Sequence, residues 1–273
     1  MVSLLSIIAL GFFLGMRHAT DPDHVVAVAT IISRQRDISR AALVGAFWGL
    51  GHTVTILVVG TCIILFNLVI PTRIGLSMEL TVGIMLIILG LANIVSFLRA
   101  VPALSANSPD HDSRGHDLLH SHAHSHGDYM HTHHHTHDPE VHPQRPDATP
   151  VAVIDGALSR FRFYKHLRPL AVGVIHGLAG SAAVALLVLA TIRNTHWAII
   201  YLLVFGVGTI AGMMVITVSL ASTLKVAAGR SQPIAAKLGM AAGLLSLVFG
   251  FFVVYQIGFV NGLFTARPMW TPK

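Results

Sequence analysis

Six long apolar runs constrain the fold of this chain more than any other feature. They cover residues 2–33, 41–67, 75–99, 168–192, 196–224 and 234–262. A helix of about 20 residues crosses the hydrocarbon core of a bilayer, which is about 30 Å thick. Backbone groups in lipid must be hydrogen-bonded internally, and no run shows the ten-residue alternation of a barrel strand. The sequence therefore predicts an all-α polytopic membrane protein with six transmembrane helices.

The charge distribution predicts an orientation for these helices. Charged residues make up only 11% of the chain, yet its net charge is +6. In a soluble protein this charge would suggest nucleic acid, but here thirteen of the eighteen Lys and Arg residues fall on one side of the six-span topology. Because basic residues stay in the cytoplasm, we expect a cytoplasmic (inner) membrane protein with both termini outside, the central loop inside, and no nucleic-acid partner.

The central loop differs in composition from both membrane halves. Twelve of the eighteen histidines lie within residues 111–142, among Ser, Asp and Pro. Such a segment buries too little apolar surface to offset its ordering entropy, so we expect it to be disordered without metal. The sequence thus predicts three domains: a three-helix membrane repeat over 1–99, a cytoplasmic His-rich loop over 100–166, and a second three-helix repeat over 167–273.

The loop histidines recur at i, i+2 spacing in HSHAHSH and HTHHHTH. Imidazoles on such a segment bind Ni²⁺, Co²⁺, Cu²⁺ or Zn²⁺ with little discrimination. An internal run interspersed with Ser, Thr, Ala, Gly and Asp is not typical of a purification tag. The auxiliary metal ligands predicted here are His120, His122, His124, His126, His131, His133, His134, His135 and His137.

The two membrane halves resemble each other. GMRHATD, FWGLGHTVTI and VGIMLIILG in the first half correspond to GVIHGLAG, VFGVGTIAGM and AGLLSLVFG in the second. Three spans is an odd number, so the second copy would be inserted upside down. This pattern predicts a 3+3 inverted repeat, an architecture common in secondary transporters. The alternative is that glycine-rich apolar helices resemble one another by chance.

Four ionisable residues interrupt the first apolar run: His18, Asp21, Asp23 and His24. Ionisable groups inside a membrane are expensive and indicate function. Asp followed by Pro is typical of an N-cap and first helical residue, so we expect the first span to be broken here. The mixed nitrogen and oxygen donors suit Ni²⁺, Co²⁺, Zn²⁺ or Mn²⁺. A structural cap with an ion pair to Arg17 and a proton relay are the alternatives.

Two further histidines are candidate ligands. His52 follows Gly49 and Gly51 in the second span, where small residues allow another backbone to approach closely. His176 occupies the repeat-related place of His18 in the fourth span. For each, a hydrogen-bonded core histidine is the alternative. The predicted membrane metal site therefore comprises His18, Asp21, Asp23, His24, His52 and His176.

HATDPDH resembles the H-x4-D-H signature of the nickel/cobalt transporter superfamily, and FWGLGHTVTILVVG resembles its second signature. HGLAGSAA, which lacks the acids of the high-affinity importers, is more similar to the six-span branch linked to urease. The resemblance implies Ni²⁺ or Co²⁺ as cargo, no prosthetic group, ligands at His18, Asp21, Asp23, His24 and His52, and hand-off to cytoplasmic nickel chaperones. The loop is similar to that of the related exporters.

The leading interpretation is a secondary transporter for Ni²⁺ or Co²⁺, working in uptake. Efflux, with the His-rich loop as a cytoplasmic metal collector, is the alternative. An intramembrane metalloenzyme is a second class, but the chain has no HExxH motif, and we predict no enzyme. A membrane-bound metal sensor or storage protein is a third class.

Overall fold

The computed structural model describes residues 4–33, 35, 37–66, 70–105, 120–126, 129–135, 164–178 and 194–270. Helices and strands occur in the order α1 (Leu4–His18), α2 (Pro22–Ile32), α3 (Ile38–Phe66), α4 (Thr72–Ser105), β1 (His120–His126), β2 (Tyr129–His135), α5 (Tyr164–Leu178), α6 (Thr195–Arg230) and α7 (Gln232–Tyr255). A π-helical turn, Gln256–Val260, extends α7.

Four helices in the described part of the chain are long and apolar enough to cross a bilayer: Ile38–Phe66, Thr72–Leu98, Thr195–Gly229 and Ile234–Val260. They coincide with the second, third, fifth and sixth apolar runs. The fourth run begins in α5, and its continuation beyond Leu178 lies outside the described residues. The helical membrane architecture is therefore as predicted, whereas the count of six spans stays a prediction.

The first apolar run forms two helices, and the break lies at the ionisable residues. α1 ends at His18, and α2 begins at Pro22, with Asp21 in the N-cap position. Asp21 is at the N-cap position as predicted, but its side chain makes no capping hydrogen bond. Its carboxylate accepts a hydrogen bond from His18 Nδ1 instead, at 2.8 Å. The Asp21 carboxylate therefore orients an imidazole and does not cap the N-terminus of α2.

α1 and α2 continue in one direction across the bundle. Gly11 on α1 faces Tyr201 near the start of α6, and Ala19 faces Gly212 further along α6. The Thr30 hydroxyl at the end of α2 donates to the Ala242 carbonyl of α7 at 3.2 Å. α2 therefore continues across the bundle in the direction of α1, and the two helices do not fold back on each other as a hairpin.

The remaining helices pack in pairs around this broken segment. α3 lies between α5 and α6, α4 lies along α7, and α1 lies along α6. Trp48 and Met213 are fully buried at the contact of α3 with α6 and α2. Large apolar side chains such as Phe13, Val58 and Phe251 are mostly exposed on the outside. An apolar exterior of this kind suits a lipid environment.

The structure describes parts of the His-rich loop predicted over 100–166, and its expected disorder without metal stays a prediction. α4 continues to Ser105, and β1 pairs with β2 in an antiparallel hairpin. Alternation of histidine with small residues has the two-residue period of a strand, which the compositional argument did not weigh. The division into a central loop and two flanking repeats stays a prediction.

Candidate metal-binding site

All six predicted site residues come together at the break between α1 and α2. His18 is the last residue of α1, Asp21 lies in the break, and Asp23 and His24 are in the first turn of α2. His52 lies in the middle of α3, and His176 lies in α5. We call the four histidines, His18, His24, His52 and His176, the imidazole cluster. All four are buried, the last three completely.

One hydrogen-bond chain joins the break to α3. His18 Nδ1 donates to Asp21 Oδ2 at 2.8 Å, while His18 Nε2 lies 2.9 Å from His52 Nε2. A carboxylate behind an imidazole fixes the ring's tautomer and orientation, as it does in metalloprotein sites. Asp21 therefore aims the Nε2 atom of His18 at α3.

A second chain joins α2 to α5 through Asp23. Its Oδ1 accepts from His24 Nδ1 at 3.0 Å, and its Oδ2 accepts from His176 Nε2, also at 3.0 Å. The two rings come close, with centroids 4.1 Å apart. One carboxylate thus orients two imidazoles that arrive on different helices.

These two chains leave three imidazole nitrogens without a partner. Within the described part of the chain, His24 Nε2, His52 Nδ1 and His176 Nδ1 are buried and make no hydrogen bond. In a neutral ring whose other nitrogen donates, the remaining nitrogen is a lone-pair acceptor. His24 and His176 each donate to Asp23, and His52 Nε2 donates to His18, so all three free atoms carry lone pairs. Buried acceptors without donors are costly unless something positive binds them.

The potential ligand atoms form two compact groups. His18, His24 and His52 make up what we call the first triad; Asp23, His24 and His176 make up the second triad. In each triad the ligand atoms lie within 4.8 Å of one another. Imidazole and carboxylate donors of this kind suit divalent first-row cations.

Glycines bring α3 and α5 close enough to place His52 beside His176. A Cβ at Gly51 would overlap the Leu170 carbonyl of α5, and one at Gly177 would lie 2.8 Å from the His52 carbonyl. The close approach predicted beside Gly51 is confirmed. The ring centroids of His52 and His176 are consequently only 6.0 Å apart.

The structure bears on the alternative of an ion pair with Arg17. Both carboxylates pair with imidazoles: Asp21 with His18, and Asp23 with His24 and His176. Arg17 is exposed. The acidic residues of the break therefore serve the imidazole cluster.

Sequence reasoning missed Trp48. Its side chain is fully buried, and its ring centroid lies 5.7 Å from that of His176 and 6.4 Å from that of His24. A tryptophan on an apolar helix resembles ordinary core. The available signal was its spacing, since Trp48 precedes His52 by one helical turn and shares its face.

The hairpin pairs most of the auxiliary histidines with one another. His120, His122 and His124 pair directly with His135, His133 and His131, and His126 pairs with Tyr129. His134 pairs with Ser121. His137 lies outside the described residues.

Comparison with known proteins also points to a nickel-related protein. The family described as high-affinity nickel-transport proteins matches residues 4–260, which includes the imidazole cluster. The urease accessory protein UreH of Bacillus sp. (strain TB-90) is 34% identical over 263 residues, 96% of each chain. No solved structure matches this chain. Since the family match extends over nearly the whole sequence, this multi-pass membrane protein belongs to the family of high-affinity nickel-transport proteins and is not an enzyme.

Proposed function

We propose that this protein is a secondary transporter that carries Ni²⁺ or Co²⁺ into the cell across the cytoplasmic membrane. The observation that carries the proposal is the convergence of four buried imidazoles and two carboxylates at a helix break inside an apolar bundle. Membership of the family supports nickel as cargo. The six residues His18, Asp21, Asp23, His24, His52 and His176 would bind and orient the cation.

The chemistry of the site favours a largely dehydrated cation. Removing an ion from water is costly, and protein donors must replace its hydration shell. The three free lone pairs of the imidazole cluster are preorganised for this exchange, and Asp23 adds negative charge. Since Ni²⁺ and Co²⁺ both accept nitrogen and oxygen donors, the donor set favours neither over the other.

Reciprocal contacts support the proposed inverted repeat. The sequence alignment that pairs His18 with His176 also pairs Gly15 with Gly173. Gly15 of α1 packs against the Phe205 carbonyl of α6, and Gly173 of α5 packs against the Trp48 carbonyl of α3. Trp48 and Phe205 are themselves counterparts when His52 is aligned with Thr209. If each residue is replaced by its counterpart in the other half, the Gly15–Phe205 contact becomes the Gly173–Trp48 contact.

A second pair of contacts behaves in the same way. Gly51 of α3 packs against the Leu170 carbonyl of α5, and Gly208 of α6 packs against the Phe12 carbonyl of α1. The same alignment pairs Gly51 with Gly208 and Phe12 with Leu170. Chance similarity of glycine-rich helices would not be expected to produce such exchange at two independent contacts.

The two halves contribute unequally to the site. Thr209 is the counterpart of His52, but its hydroxyl donates to the Phe205 carbonyl of its own helix at 3.0 Å. All the site residues except His176 come from the first half. We propose that rocking of the two halves about this asymmetric site alternates access to it, as in other inverted-repeat transporters.

The energy for uptake would come from the membrane potential. The chain has no G-x4-G-K-[ST] motif for ATP. An inward movement of two positive charges gains about 4.6 kcal/mol per 100 mV. This term favours import of a divalent cation, and efflux would require coupling to another ion.

Accumulation of ⁶³Ni in cells that express the protein tests the proposal. We expect the wild-type protein to raise accumulation and His18→Ala to remove the increase, because a cation ligand is lost. His196→Ala is the matched control, since His196 is exposed at the start of α6. Accumulation that is equal in His18→Ala and in wild type would reject the transport site. A decrease below cells without the protein would indicate efflux instead.

The hairpin histidines are proposed to buffer metal in the cytoplasm, before hand-off to nickel chaperones. Three pairs of them stand opposite one another in the register of the hairpin, and imidazole is a common ligand of such cations. Deletion of residues 111–142 should leave the rate of ⁶³Ni uptake unchanged at saturating metal and alter it at low metal. Complete loss of uptake, in a variant that is still inserted in the membrane, would contradict a buffering role.

A further inference from the structure

His24 belongs to both ligand triads, and this makes it different from every other residue of the site. The first triad combines His24 with His18 and His52, whereas the second combines it with Asp23 and His176. The ring of His24 lies 4.7 Å from that of His18, 5.1 Å from that of His52 and 4.1 Å from that of His176, measured between centroids.

The position of His24 is held while its second nitrogen is left free. Nδ1 donates to Asp23 Oδ1 at 3.0 Å, and the backbone N–H of His24 donates to the same oxygen at 3.0 Å. Nε2 is fully buried and has no hydrogen-bond partner among the described residues. The ring is thus held in place, with one nitrogen that no protein donor occupies.

The two triads differ in charge and in the helices that supply them. The first is neutral, and the structure builds it from α1, α2 and α3. The second carries one carboxylate and links α2 to α5 in the other half of the chain. With three protein donors each, both leave coordination places open, which suits a cation that must exchange ligands rather than remain bound.

We infer that the cation occupies the two triads in turn and that His24 stays bound to it during the transfer. The metal bonds to His18 and His52 break while those to Asp23 and His176 form, with no change in the oxidation state of the metal. The cation therefore always has at least one protein ligand, so it is never uncoordinated within the membrane. This inference rests on the proposed transport function and adds an order of binding to it.

The consequence is that each triad should bind the cation on its own. His52→Ala damages only the first triad, and His176→Ala damages only the second. His24→Ala, or the double variant His52→Ala/His176→Ala, damages both. Because the triads share the side chain of His24, the wild-type protein should hold one cation at the membrane site and not two.

Ni²⁺ binding to the purified full chain in nanodiscs tests this inference, with residues 111–142 deleted to remove the loop histidines. We expect His52→Ala and His176→Ala each to bind one Ni²⁺ and to lose ⁶³Ni flux. His24→Ala and the double variant should bind at least about 100-fold more weakly than either single variant. X-ray absorption should count three imidazoles around the metal in His176→Ala and two in His52→Ala.

Two control variants accompany this experiment. His24→Asn retains a polar side chain of similar reach and guards against misfolding of His24→Ala, and His196→Ala should behave as the wild type. If either His52→Ala or His176→Ala abolishes binding as fully as His24→Ala, one joint site replaces the two triads. Retained flux in both single variants would also overturn the transfer. A wild-type protein that neither binds nor carries Ni²⁺ would instead contradict the transport function itself.

Discussion

Asp21 and Asp23 stand two positions apart but orient different numbers of imidazoles. Asp21 accepts a hydrogen bond from His18 and is 39% exposed, whereas Asp23 accepts from both His24 and His176 and is 20% exposed. Loss of a carboxylate that orients a metal-binding imidazole typically lowers metal affinity or activity by about 10–100-fold. The two aspartates should therefore differ in their effect on transport.

We predict that Asp21→Asn raises the half-saturating Ni²⁺ concentration for uptake by about 10-fold and that Asp23→Asn raises it by about 100-fold. Asn keeps the size of the side chain but removes its charge and one acceptor, so Asp23→Asn disturbs two rings and the second triad. The concentration dependence of ⁶³Ni uptake measures both values. Equal effects of the two variants would contradict the unequal roles that we assign to these carboxylates.

Residue chemistry was largely predictable from the sequence, but the pairing of residues was not. His18, Asp21, Asp23 and His24 stand out because ionisable groups are rare in apolar runs. That Asp23 also orients His176, which is 153 residues away, depends on how α2 packs near α5. Trp48 was overlooked for a related reason, since only the fold distinguishes a tryptophan beside a site from one in the core.

At the scale of helices, glycines set the distances on which the site depends. Gly51 and Gly208 permit backbone contact between α3 and α5 and between α6 and α1, respectively. A Cβ at either position would overlap a carbonyl oxygen of the neighbouring helix, which cannot move without displacing that helix. Overpacking of this kind typically costs about 1–3 kcal/mol.

We predict that Gly51→Ala and Gly208→Ala each reduce the stability of the protein by about 1–3 kcal/mol and lower ⁶³Ni uptake severalfold. The separated helices would move His52 away from His176, or His18 away from His52. Gly229→Ala is the control, because nothing lies within 4 Å of the added Cβ and alanine favours helix by about 0.5–1 kcal/mol. Thermal unfolding in detergent gives the comparison. Unfolding temperatures equal to wild type for both would contradict the close packing.

The elements themselves were predicted unevenly. The break in the first span followed from Asp21 and Pro22, whose local preferences act regardless of the fold. The hairpin at His120–His135 did not follow, because composition argued for disorder while the spacing of histidines also fitted a strand. The third span, predicted over 75–99, agrees with the apolar span Thr72–Leu98, and α4 continues beyond it to Ser105.

For the whole molecule, contacts at the two ends of the bundle show that α4 and α7 run antiparallel. At one end, Trp270 in the C-terminal segment donates to Glu79 of α4 at 2.8 Å. At the other end, Asn93 near the end of the α4 span donates to the Gly239 carbonyl near the start of α7 at 3.1 Å. The topology predicted from basic residues places the first end outside and the second end in the cytoplasm.

The predicted topology leads to a testable prediction about sidedness. Cys62 is the only cysteine, so Cys62→Ser provides a background without thiols. In that background we expect a membrane-impermeant maleimide to label Ala266→Cys on intact spheroplasts, because Ala266 is exposed at the end that holds Trp270. Ser231→Cys lies between α6 and α7, and it should be labelled only after permeabilisation.

The pattern of labelling distinguishes three arrangements. The reverse pattern would show that the protein is inserted upside down, which would place the histidine hairpin outside and remove its proposed role as a cytoplasmic buffer. Labelling of both positions from the outside would show that α7 does not cross the membrane and would contradict the six-span topology. The expected pattern would show that α7 crosses the bilayer. Uptake would then run from the end of the bundle near Trp270 towards the end near Asn93.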